Sequence, residues 1–180
     1  MKKLTVALLT VAVMVTGAYA GTSSKTFKET VAPVSECKFR DQELQIDAFG
    51  LGAFYNEGRP GWGGGLGIHY FFSKFIGVGI EQDMFGRKEN DSEGYTEWAT
   101  AGNVFLRLPI CSLNLAPYAV VGGGAAYGGE RSGHGFGHVG GGLEYRVTDN
   151  IGLFSDARYV YSTIDPENAV AVRTGLRFAF

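Results

Sequence analysis

The sequence predicts an all-β fold, an eight-stranded antiparallel up-and-down barrel that crosses a membrane, and three observations carry that expectation. Eight segments of roughly ten residues alternate between apolar and polar side chains with a period of two, the mark of strands with one apolar face. After residue 20 no uncharged apolar run reaches the ~20 residues of a spanning helix, so a crossing made of strands has to close on itself, because lipid cannot satisfy an open sheet edge. Glycine supplies 28 of 180 residues, with only five prolines and no collagen-like period. Such glycine inside aromatic, alternating sequence suits strands that bend sharply or share a cramped interior.

The N-terminus comes before the fold. Lys2 and Lys3 open the chain, residues 4–15 are uncharged and mostly apolar, and Ala18-Tyr19-Ala20 places small residues where a signal peptidase inspects them. This layout predicts a cleaved signal peptide over residues 1–20, with Gly21 as the mature start. Residues 21–43 are polar, mixed in charge and aperiodic, and are expected to form a flexible periplasmic N-terminal arm ahead of a barrel over 44–180. The 16 Lys and Arg less Lys2 and Lys3 leave 14 cations against 18 acidic groups. The mature chain is therefore mildly acidic and offers no footprint for nucleic acid.

The strands are expected near 44–55, 62–72, 75–85, 96–108, 116–127, 136–146, 151–161 and 169–180. The second has Trp62, Gly64, Leu66, Ile68, Tyr70 and Phe72 on one face, against Gly61, Gly63, Gly65, Gly67, His69 and Phe71 on the other. Ile76, Val78, Ile80 and Met84 oppose Gly77, Gly79, Glu81 and Asp83 in the third. In the last, Val170, Val172, Leu176, Phe178 and Phe180 alternate with Arg173, Gly175, Arg177 and Ala179. The faces of the first and fifth strands stay open: Phe49 and Leu51 fall on the side that Asp47 marks as inward, and residues 120–126 have little polarity on either side. Eight is the smallest even strand number of bacterial outer-membrane barrels.

The connections alternate in kind. Ser73-Lys74 and residues 147–150 are tight, while 56–61, 86–95, 128–135 and 162–168 are longer and rich in charge, Gly or Pro. Short periplasmic turns and longer outer loops are the barrel pattern, and an even strand number leaves both termini periplasmic. Aromatics gather at the expected strand ends. Tyr70, Phe72, Tyr145, Phe178 and Phe180 lie toward the periplasm, and Trp62, Trp98, Tyr159 and Tyr161 toward the outside, where ring belts meet the headgroups.

The polar face carries Asp47, Glu81, Asp83, Glu97, Glu144 and Asp156 against Arg107, Arg146, Arg158, Arg173 and Arg177. Each mature lysine falls in the arm, a turn or a loop. Arginine suits enclosed pairing because its planar fork binds carboxylates bidentately, and an eight-stranded bore is only wide enough for side chains to fill. The expected lumen is a sealed, ion-paired network of Glu81, Asp83, Arg107, Glu144, Arg146, Asp156, Arg158, Arg173 and Arg177.

These residues resemble a known family. The segment 140–153, Gly-Gly-Gly-Leu-Glu-Tyr-Arg-Val-Thr-Asp-Asn-Ile-Gly-Leu, continuing to Asp156-Ala157-Arg158-Tyr159, is similar to the penultimate hairpin of small outer-membrane barrels of the OmpA transmembrane-domain, OmpX and porin-like type. Residues 173–180, ending in Phe180, resemble that family's C-terminal assembly signal, matched here by Arg173, Gly175, Phe178 and Phe180. The resemblance covers about 44–180. It implies recognition by the barrel-assembly machinery and insertion among outer-membrane lipid and lipopolysaccharide, without the peptidoglycan-binding domain that follows the barrel in OmpA. It is specific for architecture and not for activity, since the family holds structural proteins, adhesins, small pores and a few lipid-modifying enzymes.

Candidate chemistry is sparse. Cys37 and Cys111 both fall on the expected periplasmic side, an oxidising compartment. A bridge between them would pin the arm under the barrel; two free thiols are the alternative, because spacing does not give the Cα separation. His134 and His138 are four apart in a strand, which is not a helical metal face, and no cluster joins them. Ser132, His134 and Glu130 contain the residue types of a hydrolase on the outer rim, similar to lipid A deacylating barrels, but in a glycine-rich loop with no geometry to orient them. The glycine runs at 63–65, 122–124 and 140–142 lack the Lys-Ser/Thr of a phosphate loop. The reading is a monomeric, non-enzymatic outer-membrane barrel with a structural or surface-display role, without catalytic, cofactor or metal residues. A small-solute pore and a lipid A-modifying enzyme stand as alternatives.

Overall fold

The computed structural model describes residues 37–55, 60–87, 95–128, 131–162 and 168–180. The expected signal peptide and residues 21–36 of the expected arm lie outside them. Eight strands follow in chain order: β1 (Glu43–Tyr55), β2 (Gly61–Ser73), β3 (Ile76–Arg87), β4 (Tyr95–Arg107), β5 (Leu115–Gly128), β6 (Arg131–Arg146), β7 (Ile151–Ser162) and β8 (Ala169–Ala179). Each pairs antiparallel with the next, and β1 closes on β8, so the sheet is a barrel without an edge.

The alternation read from the sequence becomes inside and outside. Ile80 is 65% exposed, whereas its neighbour Glu81 is 1% exposed. Charged side chains fill the bore and apolar ones face out, the inverse of a soluble sandwich and the pattern of a barrel solvated by hydrocarbon. Phe49 and Leu51 join Asp47 inside, and in β5 Val120 points in while Val121 points out, which settles the two strands whose faces were open. All nine aromatics expected in the two belts face outward.

Two boundaries differ from expectation. β6 starts at Arg131, five residues early, so most of the expected loop over 128–135 is strand. Its Arg-Ser-Gly-His-Gly composition favours a turn. The extended β5 nevertheless offers ladder partners, with Ala125 opposite Gly135, Ala126 opposite His134 and Gly128 opposite Arg131, and pairing of backbone groups outweighs local propensity. A register shift between Ala126 and Gly128, with Gly128 at φ 118, absorbs the extra residue. Glu43, assigned to the arm, is the first residue of β1, and residues 37–42 lie against the barrel end from which β1 starts and at which β8 finishes. That end is called the closed end below, and the other the loop end.

Narrow bores need glycine where strands press together. A Cβ on Gly124 would stand 1.8 Å from the Thr100 carbonyl oxygen, a position that no other residue can occupy without moving β4. At the closed end the β4–β5 connection is a 3₁₀ turn, Cys111–Leu113, spanned by the Ile110 to Leu115 bridge, with Asn114 in the left-handed region.

Candidate functional site

The bore is the only place among the described residues where polar side chains converge in number, and they do so in two tiers. Nearest the closed end, Glu43 Oε1 accepts from Arg146 Nη2 at 2.6 Å and from Arg107 Nη1 at 3.1 Å. Glu144 accepts from Arg146 Nε and from Arg177 Nη1, the latter at 2.7 Å. Arg177 then grips Asp47 with a bidentate fork, Nε to Oδ1 at 2.8 Å and Nη2 to Oδ2 at 2.6 Å. The second tier repeats the logic. Arg173 holds Asp156 bidentately at 2.9 and 2.6 Å, Arg158 holds Glu81 at 2.7 and 3.1 Å, and Arg173 Nη1 lies 3.0 Å from Glu81 Oε2. Tyr118 donates to Asp156 at 2.8 Å. All these side chains are buried.

His69 joins the tiers. Its Nδ1 lies 3.4 Å from Asp47 and its Nε2 3.2 Å from Glu81, and its ring packs against Phe105 with centroids 4.6 Å apart. Gly79 makes room for it, since a Cβ there would stand 2.1 Å from the imidazole Cδ2. Aromatic rings cover the guanidinium faces: Phe71 lies 3.9 Å from the Arg107 carbon, Phe49 4.4 Å from that of Arg173 and Phe154 4.6 Å from that of Arg177. Such stacking uses the guanidinium faces, which in-plane hydrogen bonds leave free.

Eight of the nine residues expected in the network are brought together. Asp83, the ninth, lies within electrostatic reach of Arg173 but forms no direct ion pair among the described residues, and its buried Oδ1 lacks a hydrogen-bond partner. Glu43, Gln45, Asp47, His69, Asn103 and Tyr118 are members that the expected network lacked, although the alternation places Asp47 on the inward face. Glu43, Gln45 and Asp47 continue one face of the alternation, so the period that began the barrel at Leu44 would have found Glu43 one residue earlier. His138 bonds Asn103 at 2.7 Å and lies 3.1 Å from Arg158, and His134 lies 3.6 Å from Glu97. Glu130 and the Ser132 side chain lie outside what is described. No group of three or more His, Cys, Asp or Glu side chains able to hold a metal ion occurs among the described residues.

Cys37 and Cys111 form a disulfide with Cα atoms 4.8 Å apart. It fastens the chain ahead of β1 to the β4–β5 connection and sets Phe39, 2% exposed, against the tier nearest the closed end. The Phe39 ring lies 5.0 Å from the Arg107 guanidinium carbon and 5.2 Å from that of Arg146.

An apolar outer wall around a bore filled by cross-braced ion pairs is the architecture of the smallest outer-membrane β-barrels. Solved structures share the fold. Neisserial surface protein A aligns over 77% of this chain and 96% of its own, with TM-score 0.62 at 17% identity. The N-terminal β-barrel domain of Pseudomonas aeruginosa OprF aligns over 78% and 99%, with TM-score 0.55 at 18% identity. Ail, the attachment invasion locus protein of Yersinia pestis, aligns over 78% and 99%, with TM-score 0.52 at 18% identity. No protein-family model and no curated protein matches the sequence.

Proposed function

We propose that the protein is a sealed, non-enzymatic outer-membrane barrel that acts as a rigid membrane-spanning scaffold and displays its loop end at the cell surface. The observation that carries this reading is the fate of the five lumen arginines. Each reaches a carboxylate on a strand that is not its neighbour, and displacing any of them to pass a solute would strand buried charge, at a cost of several kcal/mol. The closed end, with both barrel termini, is assigned to the periplasm. The surroundings are outer-membrane lipid and lipopolysaccharide, and the working unit is a monomer.

Recordings across planar bilayers test the seal. A flat baseline is expected, and reproducible conductance steps would instead favour a small-solute pore. In the same reading the barrel-assembly machinery recognises β8 through Arg173, Gly175, Phe178 and Phe180. Phe178 and Phe180 are exposed on the outer wall and so are open to a partner during insertion. Phe180→Ala is expected to lower the fraction of chains that migrate as compact barrels when loaded unboiled; an unchanged fraction would remove the assembly role.

A further inference from the structure

We infer that residues 38–42 are a removable stopper of the closed end, held shut by the Cys37–Cys111 disulfide and released by exchange with a periplasmic dithiol. The inference rests on the proposed orientation, with the closed end in the periplasm. Residues 37–42 touch three separate turns of the barrel but are woven into none. Lys38 Nζ donates to the Val147 carbonyl at 3.1 Å, the Asp41 carboxylate accepts from the Lys74 amide at 2.7 Å, and Cys37 is bonded to the 3₁₀ turn at Cys111. The chain then turns sharply at Gln42, whose φ of 54 lies in the left-handed region, before β1 begins. The segment therefore has one covalent latch at its start and a turn at its end.

What the stopper covers keeps its main pairs without it. Arg107 and Arg146, beneath Phe39, keep their carboxylate partners Glu43 and Glu144 when the ring leaves. The segment itself adds only the Arg40 amide at 3.4 Å and the half-exposed Arg40 guanidinium at 4.0 Å, both on Glu43 Oε2. Withdrawal therefore exposes Glu43 to water with Arg107 and Arg146 still paired to it, unlike removal of any of the arginines inside the bore. The latch is also reachable, because both cysteines are only partly buried and Ser112 beside Cys111 is exposed.

The exchange balances. A thiolate of the dithiol attacks one cysteine sulfur, the Cys37–Cys111 bond breaks, and a mixed disulfide forms. The second thiol of the reagent then closes its own disulfide. The reagent gives up two electrons and two protons, and Cys37 and Cys111 leave as thiols.

Trypsin reads the state of the stopper, since Lys38 and Arg40 lie within it. The full mature protein, folded in detergent, is treated with dithiothreitol, and free thiols are verified by alkylation mass. Cleavage at Lys38 and Arg40 is expected to accelerate by roughly tenfold or more, while the unboiled gel mobility of the barrel stays unchanged. The double variant Cys37→Ser with Cys111→Ser should be cut at the fast rate without reductant. Unchanged cleavage with both thiols free overturns the inference, and so does loss of barrel mobility on reduction, which would make the bond a staple of the fold. Labelling of reduced cysteines by an impermeant maleimide separates the two readings: modification in intact cells overturns the periplasmic orientation and the periplasmic dithiol with it, whereas modification only after the outer membrane is opened supports both.

Discussion

The two halves of the bore solve the same packing problem in opposite ways. Toward the closed end, inward positions hold long side chains: Arg107, Arg146, Arg177, Phe71, Phe105 and Tyr118 are all buried and locked to partners across the barrel. Toward the loop end no such ion-pair lattice forms among the described residues: small inward residues, among them Ala53, Gly63, Ala99, Ala126, Ala169 and Ala171, alternate with the larger Phe85, His134 and Phe136, and solvent reaches Gly63 and His134. A narrow bore is filled either by side chains that satisfy one another or by strands that close in over glycine and alanine. The contrast teaches that electrostatic bracing belongs to the closed half and the adjoining second tier.

The sharpest way to break this comparison is to cut the brace. Arg177→Leu removes one guanidinium and leaves Asp47 and Glu144 facing each other without it, at an expected cost of roughly 3–5 kcal/mol. Urea unfolding of the barrel in lipid vesicles measures it, and a cost below ~1 kcal/mol would mean that the ion pairs do not brace the bore. A somewhat smaller effect tests which side faces lipid. Ile80→Arg places a charge on the outer wall and is expected to cost about 2–4 kcal/mol near the bilayer midplane; a neutral outcome in the same assay would mean that Ile80 does not meet hydrocarbon. The smallest effect sharpens the comparison by matching two acids. Asp156→Asn should weaken the bidentate grip of Arg173 by roughly 2 kcal/mol or more. Asp83→Asn, at a position without an ion pair, should stay within ~1 kcal/mol, and equal losses would erase the distinction between braced and unbraced acids.

Much of the fold was legible because alternation is a local property. Seven of the eight strands start within a residue or so of where period two begins and ends, and Ile76, Val78, Ile80 and Met84 reveal their outward face without any partner in view. The start of β6 was not legible, since Arg131 to Gly135 read as a turn until the extended β5 supplied its backbone partners. Within the network, the charged inward residues could be named but not matched. Asp83 looks like Glu81 two residues earlier in sequence, and only the finished bore separates the braced acid from the unbraced one.

By itself the sequence determined that the chain builds eight strands with apolar side chains turned outward and arginines and carboxylates inward, because side-chain direction in a strand follows from parity alone. The tertiary structure decided who meets whom. Glu43 and Arg146 are 103 positions apart, Asp47 and Arg177 are 130 apart, and Cys37 finds Cys111 across 74. These encounters depend on strand register and on barrel closure, which offset every pairing around the circumference at once, and no local pattern along the chain encodes that sum.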